Sequence, residues 1–158
     1  MSSILTAEMW YDHEPILDRA KLLGAVRKRY PDATVASTDP AVPFLLAFPS
    51  LVHRFADGTA ASLLVSVLNP TPRDPGRPPP DLTQTWSWPD AERTFAAHTH
   101  TLLVADLMGR VHPAGPRVAA FQSVVEAILE LTQPNCCSSW CGTSSKAPKS
   151  RTATPCED

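Results

Sequence analysis

The chain has 158 residues, 43% of them hydrophobic, with 14 Lys and Arg against 16 Asp and Glu, a length that suits one domain able to bury its own core. A formal net charge of -2 and a pI near 6.2 supply no basic footprint for nucleic acid or for anionic membrane. No apolar run approaches the roughly 20 residues of a membrane span, and Glu8 interrupts the opening MSSILTAEMWYDHE, which lacks the basic flank and long apolar core of a signal peptide, so the expected setting is cytoplasmic.

Residues 4–11 alternate in part, with Leu5, Ala7, Met9 and Tyr11 to one side, which predicts a first strand. Asp12 and Pro15 mark a helix start. Over residues 16–29 the positions Ile16, Ala20, Leu23 and Gly24 make one face, and Arg27, Lys28 and Arg29 fall in the last turn, where cations suit the negative end of the helix dipole. Pro31 ends the helix. Residues 34–37 allow a brief strand, and Pro40 and Pro43 break anything longer.

Residues 44–55 and 59–68 flank Asp57 and Gly58, a hairpin signal that predicts a type I′ turn with positive φ at both central positions. Leu51, His53 and Phe55 alternate with Val52 and Arg54, and Leu63, Val65 and Val67 alternate with Ser62, Leu64 and Ser66, so an antiparallel pair is expected. Pro49 implies a bulge or a start at Ser50. PTPRDPGRPPP, at residues 70–80, has no apolar side chains and is expected to stay out of the sheet as an exposed, extended connector, although such segments also serve as ligands of proline-reading domains.

The stretch TWSWPDAERTFAAHTHTLLVADLMG, residues 85–109, holds the clearest helix start and buried strand. Ser87 can cap a helix, with Asp90 three residues on as its capping-box partner and Pro89 in the first turn. That helix runs from about Trp88 to His98, with Trp88, Ala91 and Phe95 on one stripe and Trp86 stapled back onto Ala91. Residues 100–107 then form a short, almost wholly apolar run bounded by Gly109, which predicts a central strand buried on both faces with Asp106 near its carboxyl end. Pro116 opens a last helix in which Val118, Phe121, Val125, Ile128 and Thr132 recur at three and four; Pro134 closes it.

All four Cys follow Pro134, in NCCSSWCGTSSKAPKSRTATPCED, which has no periodicity. The preceding body, residues 1–134, is expected to fold as one domain without disulfides, and residues 135–158 as a disordered tail. A sheet domain that ends on an amphipathic helix commonly continues into a strand. With GC-rich codons, a change of reading frame inside the Asn135 codon can turn this tail into an apolar strand and a polar turn, so a frameshift is hypothesised. Translating the gene in that frame tests it, and an early stop codon or a polar jumble removes the idea. Cys136, Cys137 and Cys141 make a weak metal set, because adjacent Cys point different ways and no His follows at finger spacing.

No nucleophile elbow, P-loop or dinucleotide fingerprint is present, and only 6 Gly are available to cradle phosphate. His98 and His100, two apart, are the candidate metal or acid–base pair, with His53 or His112 as a third ligand and Asp106 as the carboxylate. Asp106 sits where α/β sheets often place functional groups, but capping a loop competes as its role. Trp86 and Trp88, with Phe95, could line a binding pocket; their helical spacing favours core packing.

These residues give the chain a resemblance to a bacterial domain-of-unknown-function family, number four-two-six-one. It is carried by ILTAEMWYD at the start, PSLVHRFADG from Pro49, QTWSWPDAE from Gln84, LLVADLM from Leu102, and the Arg117 and Phe121 pair leading into EAILELTQP. The resemblance implies no reaction. It implies further chain after the last helix, including a strand bearing Trp, and an association with secretion or toxin-immunity loci.

The expected architecture is α+β, a mainly antiparallel sheet with helices packed on one face, ferredoxin-like in its βαββ opening. The expected function is non-catalytic protein binding of the immunity type, with a possible protein partner, no nucleic acid, no membrane and no cofactor. A small metal-dependent hydrolase using His98, His100 and Asp106 and a non-functional frameshifted product are the alternatives.

Overall fold

A computed structural model describes residues 4–37, 43–76, 91–107, 109–133 and, for the backbone alone, 136–140. The elements are β1 (Thr6–Tyr11), α1 (Arg19–Arg27), β2 (Thr34–Val35), β3 (Phe44–Arg54), β4 (Ala60–Val67), β5 (Thr71–Pro72), α2 (Ala91–Ala97), β6 (His100–Leu107), α3 (Ala114–Thr132) and β7 (Cys136–Trp140). All the strand pairs are antiparallel, in the order β2-β3-β4-β6-β1-β7, with β5 beside the start of β6. The fold is α+β. β6 stands between β4 and β1, so it is interior to the sheet as expected, but it is not buried on both faces: Thr101, Leu103 and Ala105 are half-buried and Leu107 is exposed.

Alternation sorts the strands into two faces. Ala7, Met9 and Tyr11 of β1, Leu102 and Val104 of β6, Leu63, Val65 and Val67 of β4, and Phe44, Leu46 and Phe48 of β3 form one buried layer. α1 and α3 cover it, contributing Leu22 and Val26 from the first and Ala120, Phe121, Val124, Val125, Ala127 and Ile128 from the second. At about 1.5–3 kcal/mol for each large apolar side chain removed from water, this layer is the main source of stability. Tyr11 reaches α3 through a 2.7 Å hydrogen bond between its hydroxyl and Thr132 Oγ1, and Arg29 beside α1 pairs with Glu126 of α3 at 3.2 Å.

Local chemistry departs from expectation at several points. α1 begins later than Asp12 and Pro15 suggest, because Asp18 is the N-cap, accepting from Ala20 N at 2.9 Å and Lys21 N at 3.0 Å. Its buried stripe is consequently Leu22 and Val26, and Ile16 lies outside the helix, 92% exposed. In the β3–β4 hairpin the register slips between Phe48 and Val52, so Pro49 sits at a bulge in a strand that starts at Phe44. The turn is not type I′. Gly58 alone has positive φ, +84°, and Gly58 N donates to Phe55 O while Phe55 N donates to Thr59 O, the pattern of a type I turn closed by a glycine bulge.

Thr71 and Pro72, expected to stay out of the sheet, pair with Thr101 and His100. Pro72 needs no N–H there, since Arg73 N supplies the next bond, to Thr99 O at 2.7 Å. The start expected for α2 at Trp88 falls outside the described residues, as do Ser87, Pro89 and Asp90. α2 packs against the face opposite α1 and α3, where Phe95 meets the buried Trp10 edge-on at 5.0 Å. α3 begins two residues before Pro116, which occupies its first turn, and ends on Gln133 in the left-handed region, φ 46°. Cys136–Trp140, placed by the sequence in an irregular tail, pairs in register with β1, Trp10 opposite Cys136 and Thr6 opposite Trp140. Residues 141–158 lie outside the described set.

Candidate functional site

Polar chemistry in the interior concentrates where β6 ends and the chain turns back into α3. Asp106, the last inward-facing residue of β6, is 1% exposed, and Arg117, on the first turns of α3, is 4% exposed. The carboxylate accepts from Leu5 N at 2.7 Å through Oδ1 and from Arg117 Nε through Oδ2, while the Asp106 amide donates to Leu5 O at 3.0 Å. Asp106 therefore joins the start of β1, the end of β6 and α3. A 3₁₀ turn, Gly109–Val111, makes the connection. A Cβ at Gly109 would overlap both the Asp106 carboxylate and Arg117 Nε, so glycine is required there by close approach.

His112 follows that turn. It is 8% exposed, and its Nε2 is buried with no hydrogen-bond partner. Burial chiefly, then the neighbouring His53 and Arg117, hold its pKa below the ordinary imidazole value, with Asp106 opposing them. His53, from the distal part of β3, lies edge-on to His112 at 6.3 Å between ring centroids and edge-on to Phe55 at 4.8 Å. The result is two imidazoles beside a closed ion pair, with both carboxylate oxygens already engaged.

The residues singled out by the sequence are dispersed. His98 is buried on the α2 side, stacked on Trp10 at 5.4 Å and tilted against Phe95 at 4.9 Å, with Nδ1 against Phe95 O. His100 is in register with Tyr11 on the other face, its Nδ1 2.9 Å from Thr99 Oγ1. Asp106 lies six residues further along β6, about 20 Å away at the rise of an extended strand. The strand thus keeps the His pair and the carboxylate at opposite ends. Trp86 and Trp88 fall outside the described residues. Among the described residues no group of three or more His, Cys, Asp or Glu side chains is placed to hold a metal.

Arg117 was legible only as an isolated charge on an apolar helix stripe; its partner is an isolated charge in an apolar strand. Such a match is the available signal for a buried ion pair. A second feature lies on the face opposite α1 and α3. Ile4 is 53% exposed, Leu107 39% and Val52 43%. Leu107 is opposite Leu64, Val52 is opposite Ser62 on the same side two residues earlier in β4, and Ile4 extends β1 beside Leu107. They form an apolar row across the end of the sheet.

Among the described residues no helix is long and apolar enough to cross a membrane. In comparisons with known proteins, no family model, no curated protein and no solved structure matches the chain.

Proposed function

We propose that this chain is a non-catalytic, cytoplasmic protein-binding module of the immunity type, and that its docking surface is the apolar row of Ile4, Leu107, Leu64 and Val52. The observation that carries this reading is the row itself: three large aliphatic side chains exposed on one face of the sheet, near the ends of β1, β6 and β3. Contiguous exposed apolar surface of this kind is the usual mark of an interaction site. Membership of bacterial family four-two-six-one belongs to the same proposal and rests on the sequence blocks described above. A hydrolase built on His98, His100 and Asp106 finds no support in their separation along β6.

The test uses the full chain carrying a photo-crosslinking amino acid at Val52 or Leu107, with the attached protein identified and purified. Its affinity is then measured for the unmodified chain and for Leu107→Asp, Val52→Asp and the remote Ile16→Asp. Weakening by about tenfold or more in the first two variants, with none in the third, is expected. Equal affinity across all four, or crosslinks only between copies of the chain, refutes the reading.

A further inference from the structure

We propose that the distal half of the β3–β4 hairpin is an acid-released arm, held to the body by the contact between His53 and His112 and let go when the buried His112 takes up a proton. The arm is defined by pairing. β6 runs beside β4 only as far as Leu107 opposite Leu64, so at residues 50–62 the described strands β3 and β4 pair with each other alone, and the bulge between Phe48 and Val52 marks the hinge. The root is fixed, because Ser50 N donates to Asp32 Oδ2 at 2.6 Å and Leu51 packs against the core. Beyond it, His53 meets His112.

That contact suits an uncharged His112. His112 is buried with Nε2 unpartnered, and a proton there would place a cation in a desolvated site. The charged groups around the pair do not relieve it. From α3 comes Arg117, a second cation; from β6 comes Asp106, both oxygens engaged by Arg117 and Leu5. The 3₁₀ turn adds Arg110, which is exposed, β4 contributes no titratable group, and the arm itself carries Arg54 and Asp57, the latter tied to Thr59 N at 2.9 Å. A proton on His112 therefore sets an uncompensated cation beside Arg117 at a contact between the body and the arm's outer half. The lowered pKa of His112 agrees with this arrangement. Val52 of the proposed docking row lies on this arm, but the device does not depend on which partner the row meets.

Amide hydrogen exchange of the intact chain, corrected for intrinsic pH dependence, tests the proposal. Between about pH 7.5 and pH 5, exchange at residues 51–61 should accelerate by roughly tenfold or more while β6 and the middle of α3 stay protected, since local opening is read separately from global unfolding. His112→Phe keeps an aromatic ring that takes up no proton, and His112→Gln keeps a polar side chain that takes up none; each should flatten the acceleration. His100→Gln should leave it unchanged. Three results would overturn the inference: no acceleration in the unmodified chain, acceleration that persists in His112→Phe or His112→Gln, or exchange that rises together in arm, β6 and α3.

Discussion

Replacing Arg117 with Met tests whether the pair at the end of β6 is a desolvated ion pair. The substitution keeps most of the side-chain volume and removes the guanidinium, so Asp106, 1% exposed, is left with Leu5 N as its remaining donor among the bonds described. Removing one partner of a buried pair strands the other charge at a cost of about 3–5 kcal/mol, and for a chain of this size that lowers the melting temperature by roughly 10 °C. Asp106→Asn, which retains an acceptor for Leu5 N, strands the opposite charge and should cost about as much. The double variant buries no charge and should lose clearly less than the sum of the two, with a coupling of about 1–3 kcal/mol. Urea unfolding followed by both Trp fluorescence and far-ultraviolet circular dichroism measures all four corners of this cycle. A loss below about 1 kcal/mol for Arg117→Met, or strict additivity, would place the pair in water-like surroundings and refute the reasoning.

Gly109→Ala adds a methyl where the Asp106 carboxylate and Arg117 Nε already sit, so it should destabilise by about 1–3 kcal/mol through overpacking; a neutral result in the same unfolding assay would mean that the turn yields freely. Stability should also depend on pH through His112. Its folded-state pKa lies below the ordinary 6.5, so the unfolded chain binds that proton more readily; the contribution is full above the ordinary value and is lost as pH falls from there through the folded one. The urea midpoint should therefore drop on acidification from about pH 7.5 to pH 5, and drop less in His112→Gln; identical slopes remove His112 as the source.

What was legible in the sequence follows the range of each signal. β6 and the Asp57 and Gly58 turn announce themselves within a few residues, the first by an uninterrupted apolar run, the second by a dipeptide suited to reversing the chain. The turn's type was not legible, since the bulge at Gly58 depends on how the strands leave it. For α1, Asp12 and Pro15 pointed to an earlier start, and only the tertiary packing of Leu22 and Val26 selects Asp18 as the cap. The Asp106–Arg117 pair joins a carboxylate expected to serve a site or cap a loop to an arginine that was given no role, and no local pattern says that they meet. His98 and His100 looked paired in sequence, yet they fall on opposite faces, His98 at a helix end and His100 in a strand. β7 lacks any alternation; its placement comes from the vacant side of β1.

The seating of β1 has a consequence for how the molecule is assembled. Its ladder partners are β6 and β7, and Leu5 meets Asp106 at a separation of 101 residues. During synthesis β1 leaves the ribosome long before β6 and β7 are made, whereas β3 and β4 can zip together as soon as their turn emerges. A strand made well before its partners is thus among the last to be locked in, and until then Met9, Trp10 and Tyr11 are greasy surface that a chaperone would have reason to hold.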